Sequence, residues 1–306
     1  MKKPIIVLSS HVVRGSVGNR AAVFALEVLG HPVWAVPTIT LPFHPGHGPG
    51  TRIIPETNQF ASLLEDLLAS PWIEEVGAVL SGYMANPSQA ESVGKFVKKL
   101  KTKNPEVLFA CDPVMGDYPK EPEGNESEGK LYIAEATANA IKEHLVPLAD
   151  IITPNRFELS WLTGKKILDH QQALDAAKQY AEKQILVTSM AGYMRGNIGN
   201  LCISATSAIF AEHRELKNPP NGPGDLTAAL FLSHIMSGHT SEKALQKTTS
   251  SVFEIVASAA KRGADELMLE TDSSSISTPM SMVQMRKLQK GPVTQIRPLR
   301  FTPSQL

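Results

Sequence analysis

Asn221-Gly222-Pro223-Gly224-Asp225-Leu226-Thr227 is the stretch of this chain best equipped for chemistry. Two glycines at alternate positions let the backbone turn sharply and approach a ligand closely. The run that follows, Thr227 to Met236, is apolar on nearly every face and predicts a buried helix ending at Gly238. A glycine-rich turn feeding a helix N-terminus collects free N–H groups and the positive end of the helix dipole, so it attracts an anion. Asp225 stands at the lip of that site. A carboxylate there can take a proton from a hydroxyl that attacks a phosphoryl group held by the turn, and the dipole is expected to keep it ionised. It can equally be an N-cap, the commonest use of Asp before an apolar helix.

Other polar residues stand where apolar runs end. Asp112 and Asp117 leave a run in Asp112-Pro113-Val114-Met115-Gly116-Asp117, where they suit Mg²⁺ or charge contact beside phosphates, or an Asx-type turn. Ser10 follows the first run, where its hydroxyl faces a ligand or bonds its own loop. Tyr83 follows Gly77 to Ser81 and either borders a site or packs on a helix. Thr153 precedes Pro154-Asn155 and Glu158, and Thr188 closes a further run. His44 and His47 lie in LPFHPGHGPGT, but no cysteine or carboxylate accompanies them to complete an ordinary metal set, so a surface flap is the better account.

Alternating strands and helices must position these residues. Strands are expected at Ile5–Ser9, Val33–Val36, Gly77–Ser81, Glu106–Cys111, Asp150–Thr153 and Gln184–Thr188. Helices are expected at Ala21–Leu29, Thr57–Ala69, Ser88–Lys103, Ile133–Leu145, from about Phe157 to Gly164, at Gln171–Glu182 and at Glu242–Lys261. Ile198–Ser204 and Thr206–Glu212 alternate as antiparallel strands joined by a tight turn. The pattern predicts an α/β fold with a mainly parallel central sheet and helices on both faces. Ser10, Tyr83, Asp112, Thr153 and Thr188 would then share one sheet edge, the carboxyl edge where such sheets bind ligands. Tyr118–Lys130 is rich in Pro, Gly and Glu, as a lid or an idle insertion would be. The Ser-rich stretch Thr271–Pro279 reads as a loop. We expect one domain over 1–285 and a basic C-terminal tail over 286–306.

Thirty basic and thirty acidic residues cancel, so no global field draws nucleic acid or a membrane surface. No apolar run approaches the roughly 20 residues that span a bilayer. The run after Met1-Lys2-Lys3-Pro4 is too short for a signal peptide and reads as a first strand. Cys111 and Cys202 sit inside apolar runs, as buried, reduced thiols of a cytoplasmic protein do.

Five blocks in order resemble pyridoxal kinases, within the ribokinase-like superfamily. They are Ser10-His11-Val12-Val13 with Gly15, Gly18 and Asn19; Ser81-Gly82-Tyr83; Cys111 to Asp117; Asp150 to Asn155 with Glu158; and Gly222-Pro223-Gly224-Asp225. The last block alone indicates only the superfamily, whereas the Ser-His-Val block separates pyridoxal kinases from hydroxymethylpyrimidine kinases.

The resemblance implies ATP-dependent phosphorylation of the 5′-hydroxymethyl group of pyridoxal, and of pyridoxine or pyridoxamine. Asp225 would be the general base, and Gly222, Pro223 and Gly224 the anion hole. Ser10, Val17, Pro45, Gly46 and Tyr83 would line the vitamer site. Asp112 and Glu158 would serve Mg²⁺ and the ATP phosphates, with Thr153 and Thr188 nearby, Phe210, Ala211, Glu212 and His213 near the base, and Tyr132 at the lid. A homodimer is implied, and a monovalent cation such as K⁺ is left open. Pro45 stands where many relatives carry Thr or Gln, and Pro223 removes one donor from the anion hole. The alternatives are a hydroxymethylpyrimidine or sugar kinase, and a vitamer-binding protein without catalysis.

Overall fold

The computed structural model of the chain describes residues 2–118 and 129–288. In chain order the elements are β1 (Ile5–Val12), α1 (Asn19–Val28), β2 (Val33–Leu41), α2 (Thr57–Ala69), β3 (Ala78–Ser81), α3 (Pro87–Lys103), β4 (Leu108–Cys111) and the short β5 (Gly116–Asp117) and β6 (Lys130–Leu131). Then come α4 (Glu135–Ala140), β7 (Ile151–Ile152), α5 (Arg156–Thr163), α6 (His170–Ala177), β8 (Gln184–Ala191), β9 (Asn197–Ile203) and β10 (Ala208–Arg214). The last are α7 (Pro223–Met236), α8 (Ser241–Lys261), α9 (Ser273–Ser277) and β11 (Gln284–Leu288).

Among the described residues nine strands form one sheet in the order β11-β10-β9-β8-β7-β4-β3-β1-β2. From β2 to β8 every neighbour is parallel; β9, β10 and β11 extend the sheet antiparallel. The mainly parallel expectation therefore holds, with an antiparallel extension at one side. Successive strand residues point to opposite faces, and both faces are dry. Ile6, Leu8, Val79, Phe109, Ile152 and Ile185 join a core shared with α2 to α6. Ile5, Val7, Leu80, Ala110, Ile151 and Leu186 join a core under α1, α7 and α8.

Helix α7 explains its own sequence. Ala228, Phe231 and Leu232 meet the sheet, while Leu226 and Leu230 pack with α1, α8 and Leu267. A helix covered on both sides has no face to leave polar.

The structure departs from the sequence reading in several places; β1 continues through Ser10 to Val12 and β8 through to Ala191. β2 runs on through Pro37 to Leu41, because an edge strand tolerates a residue without N–H, and a bulge opposite Ser9/Ser10 absorbs the irregularity. The helix expected at Ile133–Leu145 begins at Glu135 and passes into a π-turn over Ile141–Leu145. Ser273–Ser277 is a short helix where a loop was expected. Arg286, Lys287 and Leu288, assigned to the tail, pair with β10 as part of β11. The expected lid over 118–130 falls largely on 119–128, outside the described residues; its ends are joined as the β5–β6 ribbon. Cys111 and Cys202 are buried and free, and burial pushes their thiols up to about 12 and about 11.

Candidate active site

Gly222 opens α7 with φ 102°, and a Cβ on it would stand 2.2 Å from the Ser16 carbonyl oxygen. Only glycine meets both demands. Pro223 supplies the first helical residue and no N–H, and Gly224 faces open space. Asp225 is the third helical residue, so its carboxylate stands beside the helix N-terminus. Gly222, not Asp225, holds the N-cap position. Loss of water pushes the Asp225 carboxyl up from its ordinary value, against hydrogen bonding from Gly18 and its own N–H. Burial thus opposes the ionising effect expected of the helix dipole.

One crevice joins Asp225 to Asp112 across Ser9, Gly18, Ser81 and Gly82. Asp112 is 8% exposed and accepts Thr153 Oγ1 at 3.0 Å. Burial, then the neighbouring Glu158 and Asp225 charges, push its carboxyl well above the usual range. Glu158 is the third helical residue of α5, in a capping box with Asn155. Its two oxygens accept the Met115 N–H at 2.8 Å and the Asn155 N–H at 2.9 Å. Burial nevertheless raises it to about 7, against hydrogen bonding from Asn155, Met115 and Gly116. Tyr132 is partly exposed as a residue, but loss of water at its phenol, then the carboxylates of Glu158, Asp112, Asp225 and Asp117, push that phenol strongly up.

Buried carboxylates that raise one another form a field a cation would relieve. The donors are hard oxygens suited to Mg²⁺, which commonly takes one or two carboxylates and completes its shell with phosphate oxygens and water. Among the described residues no group of three His, Cys, Asp or Glu side chains forms a ready-made metal cage. Asp112 and Glu158 therefore fit a shared, substrate-completed site better than a closed one.

Two non-glycine residues at this edge have positive φ, Val114 at 44° and Ser189 at 58°. A β-branched residue in that region is strained. The Met115 N–H bond to Glu158 and the Tyr132 N–H bond to the Met115 carbonyl hold the Val114 turn in place. Thr188 sits at the β8 bulge, its N–H donated to the Pro154 carbonyl.

Val17 packs in a small apolar cluster with Val12, Ile39 and Leu41, and Tyr83 lies against it. Gly18 approaches Ser10 so closely that a Cβ would stand 2.4 Å from its Oγ. Pro45 and Gly46 lie on the exposed flap turn, and the Gly46 N–H is already donated to His44 Nδ1 at 3.0 Å. The sequence-selected residues Ser10, Val17, Tyr83, Asp112, Thr153, Glu158, Thr188 and Asp225 thus gather along the carboxyl edge. Phe210, Ala211 and Glu212 do not offer their side chains, which are buried in the sheet packing. Of that group His213 alone reaches partly outward, its ring tilted over Phe253 at 4.5 Å.

Sequence reasoning missed several residues that support the site. Ser9 Oγ accepts the Tyr83 N–H at 3.1 Å, and Arg52 donates to the Tyr83 hydroxyl at 2.7 Å. Glu266 accepts from His47 at 2.9 Å. These pairs span 31 to 219 positions of sequence, and no local motif announces them.

The family model described as phosphomethylpyrimidine kinase matches residues 58–269. A pyridoxal kinase PdxY of Rubrobacter xylanophilus is 35% identical over 93% of this chain and 97% of its own length. One of Corynebacterium diphtheriae is 31% identical over 93% of this chain and 99% of its own. The pyridoxal kinase of Leishmania donovani, solved with ADP and pyridoxamine, superposes with a TM-score of 0.83 at 25% identity, covering 94% of this chain and all of that one. The match runs nearly end to end, so the chain belongs to the pyridoxal kinase family of the ribokinase-like superfamily.

Proposed function

We propose that this chain transfers the terminal phosphoryl group of ATP to the 5′-hydroxymethyl group of pyridoxal, pyridoxine or pyridoxamine, yielding pyridoxal 5′-phosphate from pyridoxal in B6 salvage. The observation that carries the reading is the position of Asp225, inside the first turn of α7, beside the open Gly224, and in one crevice with Asp112. A carboxylate made more basic by burial is well suited to accept the hydroxyl proton as the new bond forms. The Gly224 N–H faces the transferred phosphoryl group, beside the Asp225 N–H that its own carboxylate already engages, and Pro223 adds none.

In this reading the vitamer ring rests between Val17 and Tyr83, with the Ser10 hydroxyl on its ring polar atoms. Pro45 and Gly46 close over it by shape, since neither has a free N–H to give. Thr153, Thr188, Asp112 and Glu158 serve the ATP phosphates. His213 stands toward the nucleotide base and Tyr132 over the phosphates. Asp112 and Glu158 would hold Mg²⁺, directly or through water, and the bound ion would neutralise phosphate charge. The two buried free thiols suit a reducing compartment, which supports a cytoplasmic enzyme. The homodimer is checked by sedimentation, and K⁺ dependence by the activity assay.

The test is product formation with ATP and Mg²⁺ from each vitamer, beside hydroxymethylpyrimidine and a simple sugar. Phosphorylated vitamer as the main product supports the reading. Preferential phosphorylation of the pyrimidine or sugar contradicts it, and vitamer binding without ATP turnover would mark a binding protein instead.

A further inference from the structure

Three segments meet at the vitamer side: the β1–α1 loop, the flap after β2 and the turn before α7. Two adjacent carboxylates lie where they join: the exposed Asp265, which takes Arg14 at 3.0 Å, and a buried one, Glu266. Glu266 follows α8 in sequence and is 7% exposed. Its Oε1 accepts His47 Nε2 of the flap at 2.9 Å and Arg14 of the β1–α1 loop at 3.5 Å. Gly15 wraps this carboxylate with φ 106°, and a Cβ there would stand 2.5 Å from Oε1. The backbone of Glu266 forms a parallel bridge with Asn221, the residue before Gly222. Gly46 in turn comes near the Asn221 side-chain amide, 3.4 Å from where a Cβ would lie. Glu266 Oε2 has no partner among the described residues.

A buried carboxylate is costly unless it is well bonded. This one is bonded to two loops that touch the vitamer side, and its backbone is bonded to the third. We infer that Glu266 is a positioning residue which, through His47, holds the flap closed against Ser10, Val17 and the Gly222 turn and so sets vitamer affinity. The inference rests on the vitamer-kinase reading above. Flap closure concerns the acceptor, and the nucleotide-side residues Asp112, Thr153, Glu158 and Thr188 make none of these contacts. Losing the contact should therefore weaken the vitamer and spare ATP.

The experiment compares wild type with His47→Ala, Glu266→Leu, the double variant and His47→Gln, measuring kcat and both KM values. Loss of one charge-assisted hydrogen bond should raise the pyridoxal KM about tenfold, with kcat and the ATP KM within about twofold. Because both substitutions remove the shared His47–Glu266 contact, the double variant should match Glu266→Leu, which also loses Arg14. His47→Gln keeps a donor of similar reach and should restore most of the affinity. An unchanged pyridoxal KM in His47→Ala overturns the inference, as does an equal rise in both KM values or an additive double variant. If Glu266→Leu does not fold, His47→Ala against His47→Gln decides alone. A wild type that turns over no vitamer would instead refute the functional reading, so the two failures are distinguishable.

Discussion

Asp112 and Glu158 are both buried acids with raised carboxyl pKa values, yet they are built differently. Asp112 has one side-chain donor, Thr153, and faces two other carboxylates, whereas Glu158 is secured by backbone N–H groups. Asp112 therefore carries the less compensated charge. Asp112→Asn should leave the free protein as stable as wild type or more so, because it removes a buried like charge. The same change should lower kcat/KM for Mg·ATP about 10- to 100-fold, the weight of one or two charged contacts. Thermal melts and ATP kinetics check the pair of outcomes; a destabilised variant with unchanged ATP kinetics would assign Asp112 to packing. The sequence marked Asp112 by its place after an apolar run. The α5 cap that Glu158 makes with Asn155 is a local pattern three residues long, but its bond from the Met115 N–H, 43 residues away, leaves no mark in the sequence.

Helix α7 was legible from its unbroken apolar run, and the anion site from the two glycines before it. What fixes its N-terminus was not legible: the Ser16 carbonyl packed under Gly222 comes from a loop 206 positions upstream. Gly222→Ala must adopt a left-handed backbone and push that carbonyl away, at a cost of about 1 kcal/mol or more. We expect a lower Tm together with reduced kcat, since the donors of the first turn move; an unchanged Tm would show that the turn yields freely. At the other end of α7, His234 is 5% exposed with an unpartnered Nε2. Burial, then the Lys247, His239 and Lys2 charges, lower its pKa from 6.5 to about 4. The folded state binds this proton less readily than the unfolded state. Its stability contribution is complete above pH 6.5 and is lost as pH falls toward about 4, a difference on the order of 3 kcal/mol. In denaturant titrations across that window wild type should lose stability that His234→Gln keeps; parallel curves would contradict the assignment.

At the scale of the whole molecule, strand and helix alternation was readable because each buried strand is a short apolar run closed by polar residues. The ends of the sheet were less readable. β2 continues past a proline, and β11 is a polar edge strand with little periodicity to announce it. The long-range contacts that close the vitamer side, Arg52 to Tyr83 and His47 to Glu266, leave no trace in local pattern. The architecture nevertheless has one consequence that the sequence already pointed to: every parallel strand delivers its carboxyl end to the same edge, where α7 presents Asp225. The central claim is that this carboxylate accepts the proton of the attacking hydroxyl. Its direct test is steady-state kinetics of Asp225→Asn beside wild type at matched thermal stability. Loss of general-base assistance predicts a fall in kcat of about 10²–10⁴-fold with both KM values within a few-fold. An Asp225→Asn enzyme with nearly full kcat would contradict the account and leave Asp225 a structural residue of the helix N-terminus.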